Sequence, residues 1–139
     1  DFNSIYKLKR GINISYENDG KNKYLIYGIE NRIEQIIANL LDNAISFSDD
    51  NKDVIVQVSK SEDNKVYIKI LDEGQGFKEK DTNKIFKRFY SNRPDKFGQH
   101  SGLGLNIVKN LVDLHNATIK ATNRQDKKGA SMEIEFPKV

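Results

Sequence analysis

Two asparagines one helical turn apart are the first residues here whose spacing suggests chemistry. Asn39, Asn43 and Phe47 recur every fourth residue within the stretch ENRIEQIIANLLDNAISFS. Such residues share one face of an α-helix, so they form a row along the edge of its apolar stripe. Asn is a mediocre helix former, so two in mid-helix require a reason. The row is either a polar boundary or a pair of carbonyls directed at a bound cation.

A second candidate is the run DEGQGF, in which Asp72 is followed by Gly74 and Gly76 where an apolar strand pattern ends. The glycines let the backbone approach a flat ligand, and a carboxylate only accepts hydrogen bonds. This suits an exocyclic amine such as that of adenine. Guanine presents an acceptor there, and a buried unpaired Asp costs about 1–3 kcal/mol. The alternative is an ordinary acidic turn with flexible glycines.

A third candidate is SGLGL, residues 101–105, which leads into a predicted helix. Backbone N–H groups at a helix start, with glycines permitting close approach, make a site for phosphate oxygens. The alternative is a purely structural glycine-rich start. The sequence is neither a Walker loop nor a dinucleotide fingerprint.

Basic residues are concentrated between Lys78 and Lys96, with seven Lys or Arg against three Asp or Glu. Within this segment, the spacing of Phe86 and Phe89 would dock a helical turn while Lys87 and Arg88 face a ligand. Because the excess sits in one segment, a local anionic ligand is favoured over nucleic acid. A solvated Lys-rich loop held down by a hydrophobic clip is the alternative.

The periodicity predicts two helices, Glu30 to Ser48 and Gly102 to His115, with Asn116 as the left-handed residue after the second. It also predicts three hairpins, pairing Gly11 to Tyr16 with Tyr24 to Tyr27, Val54 to Ser59 with Val66 to Leu71, and Thr118 to Asn123 with Ser131 to Phe136. One sheet face is buried and the other partly wet, so we expect an α/β two-layer sandwich.

Composition bounds the class of protein. The chain has 139 residues, 37% of them apolar, and net charge +3, which suits a single domain spanning 1–139. It contains no Cys, which excludes disulfides and Cys-bound metals. No apolar run approaches the roughly 20 residues of a membrane span. The chain begins without Met and in mid-pattern, as expected of a piece of something longer.

The ordered runs NLLDNAISFS, DEGQGF, IFKRFY and SGLGLNIV resemble the N, G1, F and G2 boxes of the catalytic and ATP-binding domain of sensor histidine kinases. This domain belongs to the superfamily of gyrase, Hsp90 and MutL. The resemblance covers nearly the whole chain, and FYSNRPDKFGQHSGLGL most resembles ChvG-type kinases. It implies the Bergerat fold, a mixed, largely antiparallel sheet of about five strands on three helices, with a mobile ATP lid at about 77–104.

The resemblance also implies roles for individual residues. Asn43 matches the Mg²⁺-binding Asn, Asn39 lies near the same ion and phosphates, and Asp72 matches the residue that binds the adenine amino group. Gly74 and Gly76 shape the adenine pocket. The remaining implied ATP-binding positions are Phe47 beside the adenine, Phe77, Lys87, Arg88, Phe89, Ser101, Gly102, Leu103, Gly104 and Leu105. The catalytic set implied is Asn39, Asn43 and Arg88.

Departures from the family pattern refine this reading. Ser46 stands where many members have a phosphate-contacting Lys, so that contact must come from Lys87 or Arg88. Asn39 stands where the ATP-hydrolysing relatives have a Glu general base, and Asn cannot take that proton. This favours transfer to a protein acceptor over hydrolysis. Asn116-Ala117 replaces a frequent Gly-Gly, a matter of turn geometry.

The histidines His100 and His115 do not match the family's phosphoacceptor motif, and we interpret them as a lid contact and as a helix-end residue favoured by the dipole. We therefore expect an ATP- and Mg²⁺-dependent protein-histidine kinase catalytic domain that transfers the γ-phosphoryl group to a His on a separate dimerisation domain. The alternatives are an anti-sigma-type serine kinase and a non-catalytic ATP-binding module.

The partners implied by the resemblance are that dimerisation and phosphoacceptor domain, absent from this sequence, and a response regulator. The parent protein is expected to be a homodimeric inner-membrane sensor, with this domain in the cytoplasm. Neither nucleic-acid binding nor membrane contact by this domain is expected.

Overall fold

A five-stranded sheet with the order β1-β2-β3-β5-β4 is the centre of the computed structural model, which describes residues 11–21, 23–78, 82–86 and 104–139. The strands are β1 (Asn13–Asn18), β2 (Asp53–Lys60), β3 (Val66–Leu71), β4 (Thr118–Asn123) and β5 (Ala130–Phe136). β1 runs parallel to β2, and every other neighbouring pair is antiparallel. The predicted mixed, largely antiparallel sheet is confirmed.

The helices are α1 (Glu30–Phe47) and α2 (Gly104–Leu114), and a 3-10 turn, Thr82–Phe86, lies between β3 and α2 in the chain. Of the three helices that the resemblance implies, the described residues thus show two α-helices. The two α-helices pack against each other, and both contact the sheet. After α2, Asn116 adopts the predicted left-handed conformation with φ 55°. The Ala117 N–H then donates to the Val112 carbonyl over 3.1 Å, which closes the helix end.

Strand register gives the sheet one apolar and one polar face. Val56, Ile70, Met132 and Ala121 lie side by side across four strands on the inner face, where the last three are buried. One position along, the outer face carries the polar row Gln57, Lys69, Glu133 and Lys120. Side chains alternate along each strand, so this register buries one face under the helices and leaves the other in water. The predicted two-layer arrangement is confirmed.

The first predicted hairpin is wrong. Residues 23–27 form no strand, and β1 instead pairs with β2, which places Ile14 beside Val54. The turn after β1 is anchored to the far end of β2, because Asp19 accepts a hydrogen bond from the Lys60 N–H over 2.9 Å. The alternation in residues 24–27 correctly marks Tyr24 and Ile26 as facing the core, but it carries no information about strand pairing.

No helix in the described part of the chain is long and apolar enough to cross a membrane. Most of the predicted lid, residues 77–104, lies outside the described residues.

Candidate functional site

The C-terminal half of α1 is the first component of the candidate site. Every residue from Asn43 to Ser48 is buried there, and Asn39 one turn earlier is half-buried. The side chain of Asn43 is 9% exposed, and within the described ranges it has no hydrogen-bond partner. Buried amides are normally hydrogen-bonded, so one without a partner among the described residues is a candidate ligand group. This favours the cation interpretation of the Asn row over the boundary interpretation.

The second component is Asp72, which directly follows β3 and is 3% exposed. Its Oδ1 accepts hydrogen bonds from the Gly74 N–H at 2.9 Å and from the Ala130 N–H at 3.0 Å. The Asp72 N–H donates in turn to the Ala130 carbonyl at 3.0 Å. Backbone donors offset the cost of burying the carboxylate, and they hold the side chain in one orientation.

An isolated antiparallel bridge between Ser48 and Gly74 joins these two components. The Glu73 N–H also donates to Ser48 Oγ at 3.3 Å. The end of α1 and the Asp72–Gly76 loop are therefore brought together, although their sequence positions are far apart. Asn43 and Phe47 on α1 and Asp72 after β3 thus lie in segments that this bridge connects, and their roles as ligands stay a prediction.

The end of the loop is held by a residue that sequence analysis missed. Asn123 Oδ1 accepts from the Phe77 N–H at 2.6 Å, and Asn123 Nδ2 donates to the Phe77 carbonyl at 3.1 Å. Phe77 is buried and Gly76 has φ 79°, so this backbone is tightly constrained. Asn123 ends β4, and the predicted pairing of β4 with β5 did not indicate that it lies near Phe77, because the position of β5 beside β3 was not predicted.

Arg124 was also missed. Its side chain is only 4% exposed, and its Nε and Nη2 donate to the Asp126 carboxylate at 3.0 and 2.8 Å. This hydrogen-bonded guanidinium lowers the pKa of Asp126. The remaining nitrogen, Nη1, donates to the Asp72 carbonyl at 3.1 Å. A single Arg in a Lys-rich hairpin turn gives no hint of burial in the sequence.

Glu73 links the loop to the first residue of β2 and to Lys127. Its Oε2 accepts from the Asp53 N–H at 2.8 Å, and its Oε1 lies 3.5 Å from Lys127 Nζ. The backbone bond from Asp53, with the nearby Lys127 charge, lowers the pKa of Glu73 although partial burial opposes this.

The third component is the start of α2. The helix begins at Gly104, which is exposed, and continues through the half-buried Leu105. Asn106 Nδ2 donates to the Phe86 carbonyl at 3.1 Å and ties α2 to the 3-10 turn, where Ile85 and Phe86 are buried. The predicted docking of Phe86 agrees with this. The other predicted contacts, Lys87, Arg88, Phe89, Ser101, Gly102 and Leu103, lie outside the described residues.

The donor set at this site suits Mg²⁺ held jointly with a ligand. No group of three or more His, Asp or Glu side chains is placed to bind a metal alone in the described ranges. Mg²⁺ accepts oxygen ligands, and it commonly combines one or two protein ligands with substrate phosphates and water. The orphaned, buried Asn43 amide fits the role of that protein oxygen ligand.

His115 lies at the end of α2, where the sequence placed it as a helix-end residue. Its Nε2 accepts from the Ile29 N–H at 3.1 Å, and its Nδ1 contacts the Leu111 carbonyl at 2.7 Å. His115 therefore ties the end of α2 to the start of α1 by side-chain contacts with both helices.

The chain is similar to proteins of one family. Residues 28–139 match the family described as histidine kinase-, DNA gyrase B- and HSP90-like ATPase. The sensor protein ChvG of Agrobacterium fabrum is 36% identical over 132 residues, 90% of this chain and 22% of that protein. ChvG of Rhizobium meliloti is 38% identical over 109 residues, 76% of this chain and 19% of that protein. The chain thus spans about a fifth of the length of these relatives.

Solved structures show the same fold. The catalytic domain of histidine kinase ThkA superposes with a TM-score of 0.81 at 26% identity, covering 99% of this chain and 86% of that one. Full-length ShkA in complex with AMPPNP gives a TM-score of 0.81 at 25% identity, covering 98% of this chain and 27% of that one. The Bergerat arrangement that the sequence boxes imply is confirmed.

Proposed function

Because this chain belongs to the histidine kinase-, DNA gyrase B- and HSP90-like ATPase family, we propose that it is the ATP-binding catalytic domain of a two-component sensor histidine kinase. In this proposal it binds ATP with Mg²⁺ and transfers the γ-phosphoryl group to a histidine on a separate dimerisation domain. The similarity to two ChvG sensor proteins and the fold shared with ThkA support the assignment.

One observation carries the proposal. The Ser48–Gly74 bridge brings a buried carboxylate, Asp72, to the same region as a buried amide without a partner among the described residues, Asn43. A carboxylate suits the exocyclic amine of adenine, and an amide oxygen suits the metal that accompanies phosphates. In one region of the molecule, the carboxylate would bind the base of an adenine nucleotide, and the amide would bind the metal at its phosphates.

In this mechanism the chain mainly binds and orients. Asp72 accepts a hydrogen bond from the adenine amine, with its own orientation fixed by Gly74 and Ala130. Asn43, with Asn39 nearby, would hold Mg²⁺ through a side-chain oxygen, and the ion would supply positive charge beside the phosphates. Phe47, Gly74, Gly76 and Phe77 shape the adenine side. Gly104 and Leu105 offer backbone N–H groups to the phosphates.

The lid residues complete the proposed site on the phosphate side. Their members are Lys87, Arg88, Phe89, Ser101, Gly102 and Leu103, of which Arg88 and Lys87 contribute positive charge. Asn39 cannot act as a general base, so water is not activated from that position and the phosphoryl group passes to a protein acceptor.

The partners proposed for the parent protein are its dimerisation and phosphoacceptor domain and a response regulator. One related structure is histidine kinase ThkA in complex with response regulator protein TrrA. We propose a homodimeric parent, anchored in the inner membrane, with this domain in the cytoplasm and in contact with neither membrane nor nucleic acid.

Phosphotransfer to a supplied acceptor tests the proposal. The chain is incubated with γ-labelled ATP, Mg²⁺ and the histidine-bearing hairpin of a ChvG relative, with a His→Ala hairpin as the control. The proposal predicts an acid-labile phosphate on the wild-type hairpin alone. An acid-stable phosphate would indicate serine transfer, and ATP binding without any transfer would indicate a non-catalytic module. Either result would contradict the proposed function.

A further inference from the structure

The turn that joins β4 to β5, residues 124–129, packs against the Asp72–Glu73 loop. Arg124 donates to the Asp72 carbonyl, Lys127 lies 3.5 Å from Glu73, and the Lys128 Nζ lies 3.5 Å from Asp49. Two cations of this short turn therefore contact the segment that carries the proposed adenine ligand, whereas the third, Lys128, contacts Asp49 next to the end of α1. They differ greatly in burial, and that difference separates their roles.

Arg124 is the buried member of this group. Its side chain is 4% exposed, whereas Lys127 and Lys128 are 52% and 62% exposed. Exposed ion pairs contribute little, because water and salt screen them and ordering long side chains costs entropy. A buried guanidinium is costly to leave unpaired, and its planar fork fixes donor directions that a Lys does not fix. The contact with a defined geometry is therefore the one made by Arg124.

The Arg124 fork spans two partners. Nε and Nη2 grip the Asp126 carboxylate, which immobilises the guanidinium, and Nη1 is thereby directed at the Asp72 carbonyl. The turn also approaches the same carbonyl through Gly129, where an added Cβ would lie 2.0 Å from the Asp72 oxygen. The peptide group between Asp72 and Glu73 is thus fixed by the hydrogen bond from Arg124 and by close packing of the Gly129 backbone.

We infer that Arg124 is a positioning residue for purine recognition, holding the main chain of Asp72 so that its carboxylate meets the amino group of an adenine base. The inference rests on the proposed function, in which Asp72 is the adenine ligand. Backbone N–H groups of Gly74 and Ala130 set the rotation of the carboxylate, and Arg124 sets the position of the peptide that carries it. Arg124 itself does not contact the base.

This role predicts a loss of selectivity and not only a loss of affinity. If Asp72 is displaced, ATP loses the hydrogen bond between its 6-amino group and the carboxylate, and its affinity falls. The affinity of a purine nucleotide that lacks this amino group does not change. Purine riboside triphosphate is such a probe, since it differs from ATP only at that group. The ratio of the two affinities therefore reports where Asp72 stands, whereas general damage to the site would lower both affinities together.

The experiment measures ATP and purine riboside triphosphate affinity by calorimetry, and thermal stability, for the wild-type chain and its variants. Arg124→Met is expected to weaken ATP binding about tenfold, the loss of one hydrogen bond made by a charged group, with the analogue unaffected. Arg124→Lys keeps the charge and is expected to retain part of the ratio. Lys128→Met, a cation of the same turn, is the matched control and should keep the wild-type ratio.

An unchanged ratio in Arg124→Met, whether both affinities hold or both fall in parallel, would overturn the inference. If Arg124→Met does not fold, the affinity ratio of Arg124→Lys tests the inference instead. A wild-type ratio of ATP to purine riboside triphosphate affinity in Arg124→Lys would also overturn the inference. Failure of the proposed function gives a different pattern. The wild-type chain would then bind neither nucleotide, or bind both equally with Asp72→Asn unchanged, and the Arg124 inference would fall with it.

Discussion

Asp72 and Ala130 exchange two hydrogen bonds, each 3.0 Å long. The Asp72 N–H donates to the Ala130 carbonyl, and the Ala130 N–H donates to Asp72 Oδ1. The proposed adenine ligand is therefore attached, through backbone and side chain alike, to the first residue of β5. This strand lies inside the sheet, with β3 on one side and the edge strand β4 on the other. A rigid part of the fold thus positions the recognition carboxylate.

Replacing Asp72 with Asn tests the adenine assignment. The amide keeps one oxygen but places an NH₂ donor where an acceptor is required, so donor would face donor at the adenine amine. We expect ATP affinity to fall at least about tenfold, while discrimination against GTP narrows. Calorimetry with both nucleotides gives the result. Asp63→Asn, in the exposed β2–β3 turn, is the control, and equal ATP affinity in both variants would contradict the assignment.

Replacing Asn43 with Ala tests the metal assignment. The change removes a buried side-chain oxygen that has no partner within the described residues, so no hydrogen bond among those residues is lost. We expect ATP binding without Mg²⁺ to stay close to wild type and the enhancement by Mg²⁺ to disappear. Asn31→Ala, an exposed Asn in the first turn of the same helix, should keep the enhancement. A retained Mg²⁺ effect in Asn43→Ala would place the ion's ligand elsewhere.

A substitution at Gly104 is expected to change ATP affinity without lowering thermal stability. A Cβ at this first residue of α2 would meet no atom of the described residues within 4 Å, and Ala is favoured over Gly in a helix by about 0.5–1 kcal/mol. Gly104→Ala should therefore melt no lower than wild type. ATP affinity should nevertheless fall, because the added methyl group stands where the phosphates approach the backbone. A variant with both properties of the wild type would show that the phosphates do not reach this position.

The pKa of Glu73 predicts an acid-dependent contribution to folding. The Asp53 N–H and Lys127 lower this pKa below its usual value of 4.5, so its stabilising effect is complete above that value and is lost as pH falls through the folded-state pKa. Urea unfolding should show Glu73→Gln less stable than wild type at neutral pH, with a smaller difference in acid. Glu62→Gln, at an exposed turn, should match wild type throughout. A difference that grows in acid would contradict the argument.

Local patterns in the sequence predicted the elements that carry the site. The period of α1, the alternation of β2 and β3, and the glycines after Asp72 each report a face or a turn that neighbouring residues decide. Two strand pairings, β2 with β3 and β4 with β5, were predicted as hairpins and are confirmed, but the pairing of β1 was not accessible in this way. β1 pairs with β2 because Ile14 packs beside Val54 and Asp19 holds the end of β2, and both contacts join residues far apart in sequence.

The supporting residues of the site escaped prediction for a similar reason. Asn123 and Arg124 look like ordinary polar residues at the end of a strand, and only the sheet order places them behind residues 72–77. Their bonds are made to backbone atoms of the loop, which leave no trace in its side-chain types. Ligand-facing residues are constrained by chemistry, whereas positioning residues are constrained by geometry that the whole fold creates.

Backbone amide NMR during titration with AMPPNP and Mg²⁺ tests most directly whether these separate segments form one nucleotide site. We predict that the largest changes in amide chemical shift occur at Asn43, Gly74, Gly76, Gly104 and Ala130. The amide shifts of three residues on the outer sheet face should not change: Gln57, Lys69 and Glu133. Changes centred on that outer face, or no change at Gly74 and Ala130 under saturation, would contradict the account.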